Sequence, residues 1–350
     1  MRMRFMGVLT TLAIGATVLA GCGDGEKSSP DPSRTVTIAT HDSWAMPAEV
    51  LARFEEQSGI NVKVQPHGDA GELTNKLVLT KDNPLADAVY GIDNTFASRA
   101  VAEGVLAEHD ADRPGSAARF ALDGEADKYL TPVDYSDVCI NVDDTWFAKN
   151  GLTPPRTFDD LVDPAYEDLL VVPGATSSSP GLAFLVATIG TYGDDWKAYW
   201  SDLVENGVKI DAGWSDAYEV DFTAGGGKGD RPIVVSYSSS PPFTVPEGAD
   251  QPTTSALLDT CFRQVEYAGV LDGADNPEGA QEFIDFMLEE AFQTALPEAM
   301  YVYPVDTTVG LPAGWKAWAP TAPDPVEVSA ADITEHRADW LRDWRDITSR

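Results

Sequence analysis

The chain has 350 residues, with 24 Lys+Arg against 57 Asp+Glu, a formal net charge of −33 and 43% hydrophobic residues. This apolar share, with 9 Trp and 13 Phe, is too high for a disordered chain, and the length favours two domains. The acid excess repels phosphate backbones and anionic lipid headgroups, which argues against nucleic-acid binding and electrostatic membrane docking. Most of this charge is expected to lie on a solvated surface, where it keeps the protein soluble. The alternative interpretation is that part of it lines a cleft that attracts a cation.

The first 21 residues have the pattern of a secretory signal peptide. Two arginines precede an apolar run over residues 5–19, which is shorter than the ~20 residues needed to cross a bilayer. Small residues then lead directly into Cys22, and this pattern resembles the lipobox of bacterial lipoproteins, whose cysteine is acylated. We therefore expect removal of residues 1–21, a lipid anchor on Cys22 at the extracytoplasmic face of the cell membrane, and a flexible tether over residues 22–34.

Export would place the two remaining cysteines in an oxidising compartment, where they could pair. Cys139 and Cys261 each lie in a strand-like run. A disulfide between neighbouring strands and two buried free thiols are the two alternatives.

The folded part opens as a regular alternation of strands and helices. The pattern predicts strands over Thr35–Thr40, Asn61–Val64 and Asp87–Ile92, and helices over Pro47–Gln57, Glu72–Thr80 and Asn94–Glu103. Helical crossovers imply a parallel sheet, in which ligands meet the loops at the carboxyl ends of the strands. Those loops carry Asp42, Asp69 and Asp93.

A second unit repeats this alternation. Its predicted helices are Thr157–Val162, Pro180–Thr191, Asp195–Glu205 and one from Ser215, and its strands are Leu169–Val172, Val208–Ile210 and Ile233–Tyr237. Val265–Ala268 is predicted to be the strand in which the chain returns to the first unit. The last predicted helices are Pro277–Ala295 and Ala331–Ile347. The expected fold class is α/β with two lobes, and two or more chain crossings between the lobes would form a hinged cleft. The expected boundaries are 35–133 plus about 266–310 for lobe 1, 134–265 for lobe 2, and 311–350 for a C-terminal helical segment packing on the lobes.

The sequence motifs that would indicate catalysis or metal binding are incomplete in this chain. The glycine-rich run at 225–229 lacks the Ser or Thr that follows the lysine of a phosphate loop. The four histidines show no zinc spacing, and Gly213–Ala217 lacks the final glycine of a nucleophile elbow. We predict no catalytic residue, no metal site and no cofactor.

Polar and aromatic side chains gather in loops instead. Ser179 is expected to cap a helix whose first residue is Pro180, which would aim N–H groups at a polar or anionic ligand group. Trp214, Tyr237 and Tyr301 lie at element ends. Aromatic faces near carboxylates would stabilise a flat cation, by about 1–2 kcal/mol for each desolvated cation–π contact.

Several segments together resemble the thiamine-binding proteins of bacterial ABC importers. They are Thr40–Trp44, Gly91–Asn94, Ser178–Leu182, Gly213–Tyr218, Ser236–Pro241, Phe292–Gln293, Tyr303–Val305 and the tail Arg337–Trp344. The combination of Gly-Trp-Ser-x-Ala-Tyr with Ser-Tyr-x-x-Ser-Pro is the specific part, and the likeness runs in order from Thr35 to Arg350.

The resemblance implies a type II, hinge-closing binding protein that captures thiamine, and in some members its phosphates, for a membrane permease. Asp69, Ser178, Ser179, Trp214 and the run Tyr237, Ser238, Ser239 and Ser240 match ligand-contacting positions of the family. Tyr301 stands where the family often has tryptophan and His41 where it often has tyrosine. Asp42, Asp69 and Asp93 are candidates to neutralise the thiazolium cation.

The sequence thus predicts a monomeric, non-enzymatic binding protein with an ABC permease as partner. One alternative is a related binding protein for a polyamine or ferric ion. Another is an extracytoplasmic enzyme that processes thiamine, which would need a nucleophile that the sequence does not reveal.

Overall fold

The computed structural model describes residues 34–349, so the predicted signal peptide, the lipidation site at Cys22 and nearly all of the predicted tether lie outside the described residues. The strands are β1 (Thr35–Thr40), β2 (Asn61–Pro66), β3 (Ala88–Asp93), β4 (Leu106–Ala107), β5 (Thr131–Asp143), β6 (Leu170–Pro173), β7 (Lys209–Asp211), β8 (Ile233–Tyr237), β9 (Thr254–Leu271) and β10 (Tyr303–Pro304). The α-helices are α1 (Ala48–Ser58), α2 (Ala70–Leu79), α3 (Ala97–Ala102), α4 (Asp144–Asn150), α5 (Ser179–Tyr192), α6 (Trp196–Glu205), α7 (Pro277–Met287), α8 (Glu290–Met300), α9 (Trp315–Trp318) and α10 (Ala330–Thr348).

The strands form one mixed sheet with two parallel wings. Its order is β2-β1-β3-β9-β5-β8-β6-β7, with β4 beside β9 and β10 beside β5. The first wing is the parallel set β2-β1-β3, and the second is the parallel set β8-β6-β7. The antiparallel pair β5 and β9 lies between them. The alternation read from the sequence therefore describes each wing correctly.

Two long strands belong to both wings. The C-terminal part of β9 pairs with β3 of the first wing and with β5, whereas its N-terminal part pairs with β5 and not with β3. The C-terminal part of β5 pairs with β8 of the second wing. The predicted lobe boundaries at 133/134 and 265/266 fall inside these two strands, which are the chain crossings between the wings.

A disulfide joins the crossing strands. Cys139 on β5 and Cys261 on β9 are bonded, with their Cα atoms 4.2 Å apart. The ladder between the strands shifts register between Val138 and Ile140, which places Cys139 at the irregularity. The structure thus contains the bridge that the sequence left as one of two alternatives.

Some element predictions were wrong in detail. The helix predicted over Pro277–Ala295 is two helices, α7 and α8, which are separated at Leu288 and Glu289. The helix predicted from Ser215 is a single π-helical turn over Asp216–Asp221. The residue that caps α5 is Ser178 rather than Ser179, so Pro180 is the second helical residue. Of the long strands β5 and β9, the sequence predicted only the short runs around Cys139 and Cys261 and the strand Val265–Ala268.

The core extends through both wings and along the crossing strands. Helix α5 is apolar on all sides, and its residues 179–189 are all buried because the helix packs against β9, β5 and β8. Within residues 34–349, no helix has the length and apolar content needed to cross a bilayer.

Candidate ligand-binding site

A cavity of about 370 Å³ lies between the two wings, at the carboxyl ends of their parallel strands. The first wing contributes residues 41–45, which follow β1, and Asp69, which precedes α2. The second wing contributes Ser179 and Pro180 of α5, residues that follow β7, and Tyr237 at the end of β8. Residues 299–302, at the end of α8, close the remaining side. The loops at the strand ends therefore form much of the lining of this cavity.

The lining of this cavity is acidic. It contains four carboxylates, Asp42, Asp69, Glu219 and Glu266, and none of the described lining residues is Lys or Arg. Partial burial, followed by the charge of Asp69, raises the pKa of Asp42 above its usual value. His41 is the one histidine among the described lining residues. Such a lining favours a cation over an anion.

Aromatic rings form one wall of the cavity. The Trp214 ring stacks on Tyr218 with centroids 4.9 Å apart and meets the Tyr301 ring edge-on at 5.7 Å. Trp214 also donates a hydrogen bond from Nε1 to Ser236 Oγ at 2.9 Å, which fixes the orientation of the indole. Tyr301 stacks in turn on Phe243. These contacts fix the rings before a ligand arrives.

Tyr301 has an uncommon backbone conformation. It follows the last residue of α8 with φ of 62°, in the left-handed region that favours glycine. A bulky side chain in this region carries backbone strain, which persists where the surrounding structure holds it in place. Here the stack on Phe243 and the contact with Trp214 hold the phenol at the cavity.

Six of the eleven predicted ligand-binding residues line the cavity. They are Asp42, Asp69, Ser179, Trp214, Tyr237 and Tyr301. The other five, Asp93, Ser178, Ser238, Ser239 and Ser240, are fully buried behind its walls. The first group therefore faces the cavity, whereas the second group lies behind its walls.

Buried hydrogen bonds show what the second group does. Asp93 accepts from the Thr95 backbone and from the Thr95 and Ser179 hydroxyls, and burial above all raises its pKa to about 7. Ser239 bonds to Ser136 Oγ at 2.9 Å and donates to the Tyr301 carbonyl.

Three further serines differ in their bonding. Ser240 lies 2.8 Å from Ser236 Oγ, which also accepts from the Trp214 indole. The Ser178 and Ser238 hydroxyls have no hydrogen-bond partner among the described residues. Ser239 and Ser240 therefore brace the aromatic wall from behind, through the Tyr301 carbonyl and the Ser236 hydroxyl.

The site also contains residues that were not among the predicted ligand-binding residues. Trp44, Ser215, Glu219, Glu266 and Met300 all line the cavity. The available signal for Glu266 was an acidic residue in the middle of an otherwise apolar strand, Val265–Ala268. Trp44 and Ser215 lie inside motifs that carried the family resemblance.

Hydrogen bonds connect the two wings around the cavity. Asp69 Oδ2 accepts from the Trp214 backbone N–H at 3.0 Å, and the Gly71 N–H donates to the Ser177 carbonyl at 2.9 Å. The Ser179 hydroxyl donates to Asp93 on β3. A Cβ atom on Gly71 would lie 2.8 Å from the Ser177 carbonyl, so only glycine allows this approach. The wings are therefore in a closed arrangement.

An α/β fold with two lobes and a small-molecule cavity between them defines a solute-binding protein of the periplasmic type. Residues 83–322 match the model of a family described as bacterial extracellular solute-binding protein. The chain is 30% identical over 321 residues to the thiamine-binding periplasmic protein of Escherichia coli (strain K12), covering 90% of this chain and 94% of that protein.

A second relative, the thiamine-binding periplasmic protein of Brucella suis biovar 1 (strain 1330), is 29% identical over 324 residues, covering 90% and 92%. The solved structure of a periplasmic thiamin binding protein superposes with a TM-score of 0.77 at 28% identity, covering 90% of this chain and 96% of that one. The chain belongs to the bacterial extracellular solute-binding protein family. The predicted two-lobed binding-protein fold is confirmed, and so is the predicted extracytoplasmic class.

Proposed function

We propose that this protein captures thiamine outside the cytoplasm and delivers it to an ABC permease. The acidic, aromatic cavity carries the proposal, since it combines four carboxylates with Trp214, Tyr237 and Tyr301. Thiamine joins a flat aminopyrimidine to a permanent thiazolium cation. Rings of this kind lie well against aromatic faces, and the cation gains from nearby carboxylates. The relatives named as thiamine-binding proteins support the same ligand.

The size and closure of the cavity support a protein that binds its ligand without making or breaking a covalent bond. Its volume of about 370 Å³ lies within the range of about 300–1,000 Å³ typical of small-molecule sites. Bonds such as Asp69 to Trp214 join the wings around it, so a bound ligand would be buried. Ligand binding would favour this closed form, and the permease would recognise it.

The charge of the lining supports a preference for the unphosphorylated vitamin. A phosphate group would add negative charge beside four carboxylates, with no Lys or Arg among the described lining residues to offset it. The N-terminus of α5 could accept an anion, but the Ser179 hydroxyl there is already bonded to Asp93. We therefore expect affinity to fall in the order thiamine, thiamine monophosphate, thiamine diphosphate.

Membrane attachment through Cys22 and a monomeric state complete the proposal. The small residues directly before Cys22 support acylation. A Cys22→Ser variant should be released into the soluble fraction and should no longer incorporate labelled palmitate, whereas Cys139→Ser should keep the label. Retention of label in Cys22→Ser would contradict the anchor.

Isothermal titration calorimetry of the purified full-length chain tests the ligand directly. The panel is thiamine, its monophosphate and diphosphate, spermidine and ferric citrate. One-to-one binding of thiamine, recovered unchanged after release, is the expected result. No heat with thiamine would overturn the proposal, binding of spermidine or ferric citrate instead would favour the alternative ligands, and recovery of the separate rings would indicate an enzyme.

A further inference from the structure

A buried group of three polar side chains lies directly beneath the cavity, where β3, β9 and β5 adjoin. Asp134 on β5 and Glu266 on β9 are register partners in the antiparallel ladder. The Tyr90 hydroxyl oxygen on β3 lies 2.6 Å from Asp134 Oδ2 and 3.1 Å from Glu266 Oε2. All three residues are buried, and of the three only Glu266 lines the cavity. One phenol therefore connects two carboxyl groups on the strands that cross between the wings.

The two contacts of this phenol require an additional proton. Tyr90 has one O–H group and can donate it to only one of the two carboxyl oxygens. The other contact needs a protonated carboxyl group that donates to the phenol oxygen. Two ionised carboxylates held this close in a site remote from water would also be opposed by repulsion and by desolvation. The group therefore contains one carboxylic acid and one carboxylate.

Burial decides which carboxyl keeps the proton. Asp134 is fully buried, and its Oδ1 has no hydrogen-bond partner among the described residues. Burial, followed by the charge of Glu266, raises the pKa of Asp134 well above its usual range. Glu266 opens onto the cavity instead, with Oε1 3.7 Å from His41 Nε2. Asp134 is accordingly the acid and Glu266 the carboxylate.

Neighbouring strands and the loop after β1 place five ionisable groups around Glu266. These groups are His41 after β1, Tyr90 and Asp93 on β3, Asp134 on β5 and Tyr237 on β8. Burial raises the pKa of both phenols well above the ordinary value, so they stay neutral. His41 is the one basic side chain in this set. The Glu266 carboxylate thus faces the cavity with no permanent counter-charge among these neighbours.

We propose that Glu266 is the residue that selects a cationic ligand, and that Asp134, acting through Tyr90, is a positioning residue for its carboxylate. The inference rests on the proposed function, because it names the counter-charge of the ligand's cationic ring. With the proton on Asp134, the Tyr90 oxygen accepts from that acid, and the Tyr90 hydroxyl is free to donate to Glu266 Oε2. This chain of donors fixes the orientation of the Glu266 carboxylate and leaves its second oxygen facing the cavity.

A comparison of two ligands tests the selecting role. The probes are thiamine and a neutral isostere in which carbon replaces the thiazolium nitrogen, titrated calorimetrically into the full-length protein. The wild type should prefer thiamine by about tenfold or more, since the loss of a charge partner in a desolvated site has at least this effect. Glu266→Gln should lose this preference and still bind the neutral isostere. Glu290→Gln, an exposed residue of α8 outside the cavity, is the matched control.

Two conservative variants test the positioning role. Asn at position 134 is a neutral isostere of the protonated acid and can still donate, so Asp134→Asn should keep thiamine affinity within about threefold. Tyr90→Phe removes the connecting hydroxyl. Thiamine affinity should therefore fall by about threefold to tenfold, because a hydrogen bond to the Glu266 carboxylate is lost, while binding of the neutral isostere should stay within about threefold.

The possible outcomes separate this inference from the proposed function. If the wild type binds no thiamine, the proposed function fails. If the wild type binds thiamine and Glu266→Gln keeps the full preference for the cation, only this inference fails. Equal weakening of Tyr90→Phe toward both ligands would show a packing defect and would refute the positioning role. Thermal melting of each variant checks that it folds.

Discussion

Asp69 Oδ2 accepts a hydrogen bond from the backbone N–H of Trp214 at 3.0 Å, although the two residues are 145 positions apart and belong to different wings. The other oxygen of Asp69 accepts from the Ala70 N–H at 2.6 Å, at the start of α2. Both residues line the cavity. One carboxylate therefore connects a helix start in the first wing to the aromatic wall in the second, and it couples wing closure to the ligand site.

Replacing Asp69 should weaken both closure and binding. Asp69→Ala removes the bond to Trp214, and we expect thiamine affinity to fall about tenfold, the effect of losing one charge-assisted hydrogen bond. It also removes the cap of α2, which should lower the free energy of unfolding by about 1 kcal/mol. Titration calorimetry and denaturant unfolding measure the two effects.

Asp69→Asn separates the two roles, because asparagine caps helices about as well as aspartate. This variant should keep the stability of the wild type and still lose affinity. The control is Asp82→Ala, an exposed aspartate beyond α2. Unchanged affinity in both Asp69 variants would refute the coupling.

Replacing Trp214 should reduce affinity through the loss of an aromatic face. Trp214→Ala should weaken thiamine binding by about tenfold or more, because a desolvated cation–π contact is lost. Trp214→Phe keeps a ring against Tyr218 but loses the Nε1 bond to Ser236, so a smaller loss of about threefold is expected. Trp340→Ala on α10, outside the cavity, is the control. Equal affinity of all three variants would show that the indole does not contact the ligand.

Strand ends were the part of the site that sequence could predict. Asp42 and Asp69 follow parallel strands, and the carboxyl ends of such strands converge on one edge of the sheet. Asp93 also lies at the carboxyl end of a parallel strand, but the Thr95 and Ser179 hydroxyls donate to its carboxylate and keep it buried. Local pattern shows where a loop begins, and it does not show which way a side chain turns within the loop.

The sequence could not predict most of β5 or the role of Glu266, because the residues that pair with their charged side chains are far away along the chain. Charged residues inside β5 interrupt its apolar pattern, so most of this 13-residue strand was not recognised. Asp137 is tolerated there because Arg263 binds both of its oxygens, at 2.8 and 3.0 Å, from 126 positions away. Asp134 is tolerated because Tyr90 lies against it. Glu266 was missed for the same reason, since its neighbours come from other strands.

The disulfide should contribute strongly to stability. Cys139 and Cys261 are 122 residues apart, and closing a loop of this length stabilises a protein by about 4–5 kcal/mol in the chain-entropy model. The Cys139→Ala/Cys261→Ala double variant should lose stability of this order, measured by denaturant unfolding. Reductant should lower the melting temperature of the wild type and leave that of the double variant unchanged.

Cys22→Ser is the control for the disulfide experiment, because it keeps the bridge. Mass spectrometry of the unreduced wild type should show that neither Cys139 nor Cys261 reacts with an alkylating reagent. Alkylation of both residues would contradict the bridge.

The pH dependence of stability should show the titration of Asp93. Its pKa in the folded protein is raised from 3.8 to about 7, chiefly by burial. A raised pKa means that the folded state binds the proton more tightly than the unfolded state. The stabilisation is therefore complete below about pH 4 and is lost as the pH rises toward 7.

Asp93→Asn isolates this contribution, because asparagine is isosteric and does not ionise. The free energy of unfolding of the wild type minus that of the variant should fall between pH 4 and pH 8, by at most about 4 kcal/mol. Urea unfolding at a series of pH values measures this difference. Asp82→Asn is the exposed control and should give a flat difference over the same range. A flat difference for Asp93→Asn as well would show that Asp93 ionises at its ordinary pH and that burial does not hold its proton.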